Sequence, residues 1–248
     1  MSTDRPGRDG WRGLLRSGGA VLLDWLYPPI CVLCGAPGTD GRDLCAGCAA
    51  DLPLNRRACP RCAQPFLIAL PPGALCGTCE RRPPPCASSL AAFRYEGPIP
   101  ELVTGLKFRG KLNLARLLGQ CLADAVQASD APRPEALIPV PLHPARLRER
   151  GYNQALEIAR QTGRALGLPV ATDVCARIAA TPPQTGLDAR ARRDNLRGAF
   201  VARPPWRLGH VAILDDVVTT GGTVNELGLV LMTAGARRVD VWAVARTP

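Results

Sequence analysis

Lysine is almost missing from this 248-residue chain: Lys107 and Lys111 are the only two among 31 cationic side chains, so arginine carries nearly all of the +10 net charge. Aromatic residues are also scarce, at 4%. A core must therefore be built from Leu, Val, Ile and Ala, and a hydrophobic content of 46% suffices for one. The same scarcity removes the interleaved basic and aromatic stripe on which single-strand binders stack bases. Arg56, Arg57 and Arg61 form only a modest cluster. An arginine bias alongside abundant Ala, Gly and Pro reflects genome composition as readily as a polyanionic partner. Charge alone does not name a ligand, because nucleic acids and small phosphorylated molecules both fit it.

Long apolar runs are missing too. Residues 11–30, WRGLLRSGGAVLLDWLYPPI, are interrupted by Arg16, Gly18, Gly19 and Asp24. The stretch is too short and too broken for a secretory signal or a bilayer span. Residues 1–29 read instead as an amphipathic segment with no stable membrane insertion, in a cytoplasmic chain.

What the chain does have is cysteine. Eight of its 11 cysteines form four C-x-x-C pairs: Cys31/Cys34, Cys45/Cys48, Cys59/Cys62 and Cys76/Cys79. Such a knuckle turns two sulfurs toward one point, and two knuckles close a tetrahedral S4 site suited to zinc. Four knuckles hold two ions. Disulfides do not suit a reducing compartment, and redox chemistry needs one pair rather than four in series. With every ligand a thiolate, no coordination position stays open, so both zinc ions are structural. Sequential pairing closes the shorter loops; cross-bracing would use the same eight ligands and stays open. Cys86, Cys121 and Cys175 lack partners at knuckle spacing and read as buried small apolar residues. The cysteine module spans 30–82, and the Pro-rich string RRPPPCA at 81–87 ends it as a stiff linker.

From residue 88 to 248 the pattern is α/β. Strands are expected at 89–95, 136–142, 169–178 and 238–246, and within 210–224, where an apolar strand runs into a Gly-rich loop. Helices are expected at 99–108, 112–128, 153–167 and 223–236. Strand–helix–strand succession implies right-handed crossovers and a parallel sheet. Residues 181–198 are polar and rich in breakers, and read as a loop.

The string Val211-Ala-Ile-Leu-Asp215-Asp216-Val-Val218-Thr219-Thr220-Gly221-Gly222-Thr223 carries the chemistry. Four apolar residues drive a strand into the core and deliver two acids at its C-terminal edge, where open α/β sheets bind ligands. Two hydroxyl residues and two glycines follow, and then a helix begins. Its N–H groups and dipole suit a phosphate. The paired acids suit ribose hydroxyls, directly or through Mg2+.

This string resembles the phosphoribosyl pyrophosphate (PRPP) signature of type I phosphoribosyltransferases. Ile138-Pro-Val140-Pro141-Leu-His143-Pro144, followed by Arg146, Arg148, Arg150, Gly151, Tyr152, Asn153 and Gln154, is similar to a motif of the ComF family. So are Leu106-Lys107-Phe108 and the segment from Gln184 to Phe200. With the knuckles, the resemblance covers the chain from about residue 25 onward.

The resemblance implies a type I phosphoribosyltransferase fold behind a double zinc ribbon, and an enzyme that binds PRPP with Mg2+. In that reading Asp215 and Asp216 contact the ribose, and Val218 to Thr223 hold the 5′-phosphate. Val140 and Pro141 form the pyrophosphate turn. Arg150 and Arg193 stabilise the leaving group, with Arg193 in an active-site hood. It also implies a link to DNA uptake in natural competence. The alternative is a non-catalytic accessory that uses its zinc ribbons on single-stranded DNA or on a competence protein such as a helicase. No side chain stands out as a general base. The acceptor and the oligomeric state are not encoded in any motif.

Overall fold

Four consecutive apolar residues, Val211 to Leu214, are each fully buried and form the middle of a parallel sheet. A strand buried on both faces has no polar side to show, which is why the run is unbroken. The computed structural model describes residues 28–179 and 197–248. Its described residues fall into two units that divide between Leu52 and Pro53.

The smaller unit holds the first two knuckles and one short helix, α1 (Ala46–Ala50). The larger begins with the other two knuckles and α2 (Gly77–Arg81). Both knuckle pairs follow one plan. The N–H of Cys31 donates to Ala36 O at 2.8 Å, and that of Cys59 to Gln64 O at 2.9 Å. Cys45 and Cys76 each N-cap the following helix, their sulfurs accepting from Cys48 N and Cys79 N. Gly35 takes a φ of 76° in the first turn, and Ala63 takes 57° at the same place in the second.

The larger unit continues with β1 (Ser88–Arg94), α3 (Ile99–Phe108), α4 (Asn113–Gln127), β2 (Ala136–Pro139), α5 (Pro144–Arg150) and α6 (Gln154–Leu166). Then come β3 (Cys175–Arg177), β4 (Phe200–Ala202), β5 (His210–Val218), α7 (Gly222–Thr233) and β6 (Arg238–Arg246). The main sheet has the order β1-β6-β5-β2, all parallel. The expected α/β architecture, a parallel sheet with flanking helices beside cysteine ribbons, is therefore present.

Strand alternation sorts the core. Val211, Ile213, Val239, Val241 and Ala243 pack with Val224, Leu227 and Leu231 of α7 in one cluster. The alternate residues Ala212, Leu214, Trp242 and Val244 are as deeply buried. Helices α4 and α6 pack on each other and on the sheet, and supply the second layer. Both sheet edges are covered, which blocks pairing with another chain. The segment before the third knuckle runs along β1, with Asn55 N donating to Ala92 O at 3.0 Å and Arg94 N to Pro53 O at 2.8 Å. At the far edge Leu137 N donates to Pro169 O at 2.9 Å, and Ala171 N to Leu137 O at 2.8 Å.

Three expectations need adjusting. The strand expected at 136–142 ends at Pro139. The strand expected at 169–178 is a single bridge at Val170, followed by β3, which pairs antiparallel with β4 in a separate two-stranded sheet. Cys86 and Cys175 are buried as expected, whereas Cys121 is only partly so.

Candidate ligand site and zinc centres

Parallel strands put their C-terminal ends on one edge, and a cavity of about 500 Å³ opens there. Asp215 and Asp216, at the end of β5, form its floor. Asp216 is 3% exposed. Each carboxylate turns back on the backbone: Asp216 N donates to Asp215 Oδ1 and Val217 N to Asp216 Oδ1, both at 2.9 Å.

The last turn of α3 brings Lys107, whose Nζ lies 2.6 Å from Asp216 Oδ2. Burial works against the Lys107 ammonium, but the charges of Asp216 and Asp215 outweigh it and hold its pKa above the ordinary lysine value. Asp215 is also shifted upward, which for an acid disfavours the charged form. Burial and the neighbouring Asp216 charge push its carboxyl well above the usual carboxylate range, against the opposing pull of Lys107. One ammonium beside two acids leaves the pair short of positive charge, and an arriving cation would ionise Asp215.

The wall opposite is arginine-rich. Arg146 and Arg150 line the cavity from α5, and Arg177 from β3. His143 N-caps α5, its Nδ1 accepting from Ala145 N at 3.2 Å, so that residue's visible role is structural. Arg150 donates to Gln154 Oε1 at 2.6 Å and lies 5.2 Å from the Phe108 ring centroid, a cation–π distance. Asn153 ties the wall to the sheet: its Nδ2 donates to Val140 O at 3.0 Å, while its Oδ1 caps α6 through Ala155 N and Leu156 N. The Tyr152 hydroxyl donates to Leu106 O and fastens the start of α6 to α3.

A small recess adjoins the cavity beyond Asp215, lined by residues 217–224. Gly221 precedes α7 with a φ of 79°, a conformation that costs a side-chain-bearing residue about 1 kcal/mol or more. It brings no capping side chain. Helix N–H groups without a protein partner are an anion site.

Of the residues singled out in the sequence, Val140, Arg150, Asp215, Asp216, Thr219 and Thr223 line the main cavity. Val218, Thr220, Gly221 and Gly222 line the recess. Pro141 lies instead on a separate cavity with Pro139 and Pro144. Arg148 lines neither cavity nor recess, and Arg193 lies outside the described residues, as does most of the expected hood. Sequence reasoning gave no role to Tyr95 or Arg177, and Lys107 and Phe108 entered only within a motif. The polar–apolar alternation at the end of α3 carries no mark of a site.

The eight knuckle thiols gather into two groups, Cys31/Cys34/Cys45/Cys48 and Cys59/Cys62/Cys76/Cys79, so pairing is sequential. Within each group all sulfurs lie within 4.8 Å of one another. Cys34 Sγ and Cys45 Sγ are 3.6 Å apart, and Cys62 Sγ and Cys76 Sγ are 3.7 Å apart. A ZnS4 tetrahedron with bonds of about 2.3 Å has an edge of about 3.8 Å, so the thiols are spaced for zinc. Their electrostatics ask for a cation as well. Burial disfavours the Cys59 thiolate, but backbone N–H donors from Cys76, Arg61 and Cys62 outweigh it and bring its pKa down to about 7. Burial and sulfur neighbours push Cys79 far up. Four thiols this close cannot all ionise without a metal. No disulfide links any of the eleven cysteines.

Comparison with known proteins agrees with the zinc-ribbon reading of the cysteines. Residues 22–80 match the double zinc ribbon domain family. The chain is 35% identical over 225 residues to the DNA utilization protein YhgH of Salmonella typhi, covering 89% of this chain and 98% of that one. It is 34% identical to competence protein F of Haemophilus influenzae, covering 82% and 90%. A more distant relative, competence protein ComFC of Streptococcus pneumoniae, is 22% identical over 84% and 89%. Identity at this level along almost the full length of both chains makes the protein a member of the ComF/YhgH family.

Proposed function

We propose that the protein binds PRPP with Mg2+ in the cavity at the end of β5 and transfers its phosphoribosyl group to an acceptor. The observation that supports this most is the continuity of the Asp215–Asp216 floor with the recess of residues 217–224. One continuous surface thus offers carboxylates to two hydroxyls and the start of a helix to a phosphate. The cavity lining carries four cationic side chains (Lys107, Arg146, Arg150 and Arg177) against three acidic ones (Glu149, Asp215 and Asp216), a balance suited to a polyanion.

In this reading Thr219 to Thr223 take the 5′-phosphate, and Asp215 and Asp216 accept hydrogen bonds from the ribose hydroxyls. Arg150, steadied by Gln154 and Phe108, faces the pyrophosphate as it departs from C1′. Lys107, paired with Asp216, holds that carboxylate in place at the cavity floor. Mg2+ bound at the acids and the pyrophosphate would supply charge neutralisation of the leaving group. A ring nitrogen of a base is the nucleophile this chemistry calls for, and catalysis rests on positioning and preorganised charge rather than on a side-chain base. The names of the relatives, DNA utilization protein and competence protein, support a role in DNA uptake or utilization. No helix among the described residues is long and apolar enough to cross a membrane. We assign the protein to the cytoplasm, with single-stranded DNA or a helicase of the uptake machinery as its partner.

Titration calorimetry of PRPP with Mg2+ into zinc-replete protein tests the reading. An Asp215→Asn/Asp216→Asn variant should bind at least about 100-fold more weakly, since each charged acceptor contributes about 1.5–3 kcal/mol and both are lost. Absence of binding by the wild type would move the function to the zinc ribbons, as an adapter for DNA or a partner protein.

A further inference from the structure

Arg246, the last residue of β6, is only 7% exposed although it does not line the ligand cavity. A buried guanidinium must satisfy five N–H donors in a fixed fork, so its acceptors report what it is built to hold together. Its Nε donates to Cys62 O at 3.2 Å and its Nη2 to Gln64 Oε1 at 2.8 Å. Its Nη1 donates to Thr247 O at 2.7 Å, to Thr247 Oγ1 at 3.1 Å and, at 3.4 Å, to Val218 O. The same Val218 oxygen accepts from Thr247 N at 3.1 Å.

One side of this fork is the second cysteine cluster: Cys62 is one of its four thiols, and Gln64 O receives the N–H of Cys59, another. The other side is the last residue of β5, immediately before Thr219, Thr220 and Gly221. Val218 and Arg246 are also register partners on neighbouring strands. All of these residues belong to the larger unit. Among the described residues no carboxylate pairs with Arg246, and the charge nearest to hand is that of the cluster thiols. Four thiolates around Zn2+ carry a net charge of about −2, the counter-charge this guanidinium lacks elsewhere.

We propose that Arg246 is a positioning residue that couples zinc occupancy of the Cys59/Cys62/Cys76/Cys79 site to the conformation of the Val218–Thr223 loop. Zinc fixes the knuckle carbonyl and supplies the counter-charge; Arg246 passes that constraint to the root of the loop. Loss of this zinc frees the guanidinium, loosens the loop and weakens the anion held there. Coupling between sites is reciprocal, so an anion in the loop must in turn tighten zinc retention at the second cluster. The ligand arm of this proposal rests on the reading of the loop as a PRPP phosphate site.

The test uses the zinc-replete full chain, the Arg246→Lys variant, which keeps the charge but loses the fork, and a Cys79→Ser variant. Hydrogen exchange at the amides of residues 219–223, measured without ligand, should be about fivefold faster in both variants. Alkylation of the cysteines in the presence of a chelator, mapped by peptide mass, should show PRPP with Mg2+ slowing exposure of Cys59, Cys62, Cys76 and Cys79 by about fivefold in the wild type and not in Arg246→Lys. Loop exchange unchanged in Arg246→Lys would overturn the coupling even if Cys79→Ser failed to fold. Wild-type protein that binds no PRPP but shows faster loop exchange in Arg246→Lys would keep the coupling and remove the PRPP reading. Protection by PRPP that survives in Arg246→Lys would overturn the role of Arg246.

Discussion

Asp215 illustrates how a side chain of the candidate site is held at the expense of the fold. Burial and the charge of Asp216 raise its folded-state pKa above the ordinary value. Below about pH 4 the group is protonated folded and unfolded alike, and has no effect on stability. As pH rises the unfolded chain ionises first, so stability falls until the folded carboxyl ionises too, and the loss persists above that point. Asp215→Asn removes the penalty while still accepting from Asp216 N. Its melting temperature at neutral pH should rise by about 2–4 °C, and the gain should vanish near pH 4. A neutral-pH decrease in Tm would show that the carboxylate stabilises the fold. The paired acids themselves were legible, because an apolar strand that ends in two Asp and two Thr has few other uses. Their partners were not. Lys107 meets Asp216 from a helix more than a hundred residues earlier, and Arg177 reaches the cavity from a strand that exists only through its pairing with β4.

Among the elements, α7 sets the position of the recess lined by residues 217–224, and its seat is narrow. A Cβ at Gly228 would lie 2.6 Å from Cys86 Sγ, and Cys86 is fully buried beneath it. Burial pushes the Cys86 thiol up to about 12, so it stays a neutral packing group. In an open helix Gly228→Ala would stabilise by about 1 kcal/mol. Here the overpacking should reverse the sign and cost about 1–3 kcal/mol. Cys86→Ala removes the sulfur, so Gly228→Ala in that background should recover most of the loss, and urea denaturation of the four-protein cycle measures this coupling directly. A Gly228→Ala variant as stable as the wild type would mean that α7 shifts freely on its seat. Helix α7 and strand β5 could be read from residue patterns because apolar spacing and glycine placement are local. The strand expected at 169–178 failed for the opposite reason. Its alternation is real, but β3 takes its partner from Phe200–Ala202, and no local pattern encodes that register.

At the scale of the whole molecule, the two cysteine clusters repeat one sequence plan yet belong to different units. The first lies before Leu52, whereas the second opens the unit that also contains the sheet, the cavity and the recess. Sequence spacing treats the four knuckles as one module. The backbone bonds between residues 53–60 and β1, and the bond from the Arg246 side chain to Cys62 O, assign the second half of that module to the sheet. A chain beginning at Pro53 therefore keeps every described residue implicated in ligand binding, together with Arg246 and its zinc site. It should fold, bind one zinc per chain where the full chain binds two, and take up PRPP with an affinity within about twofold of the full chain, the tolerance for independent sites. Metal content by mass spectrometry and titration calorimetry check both numbers. Retained affinity would free the first ribbon for a partner, in line with a double ribbon whose halves do different work. A truncated chain that folds with one zinc but binds PRPP tenfold more weakly would instead make the first ribbon a contributor to the ligand site.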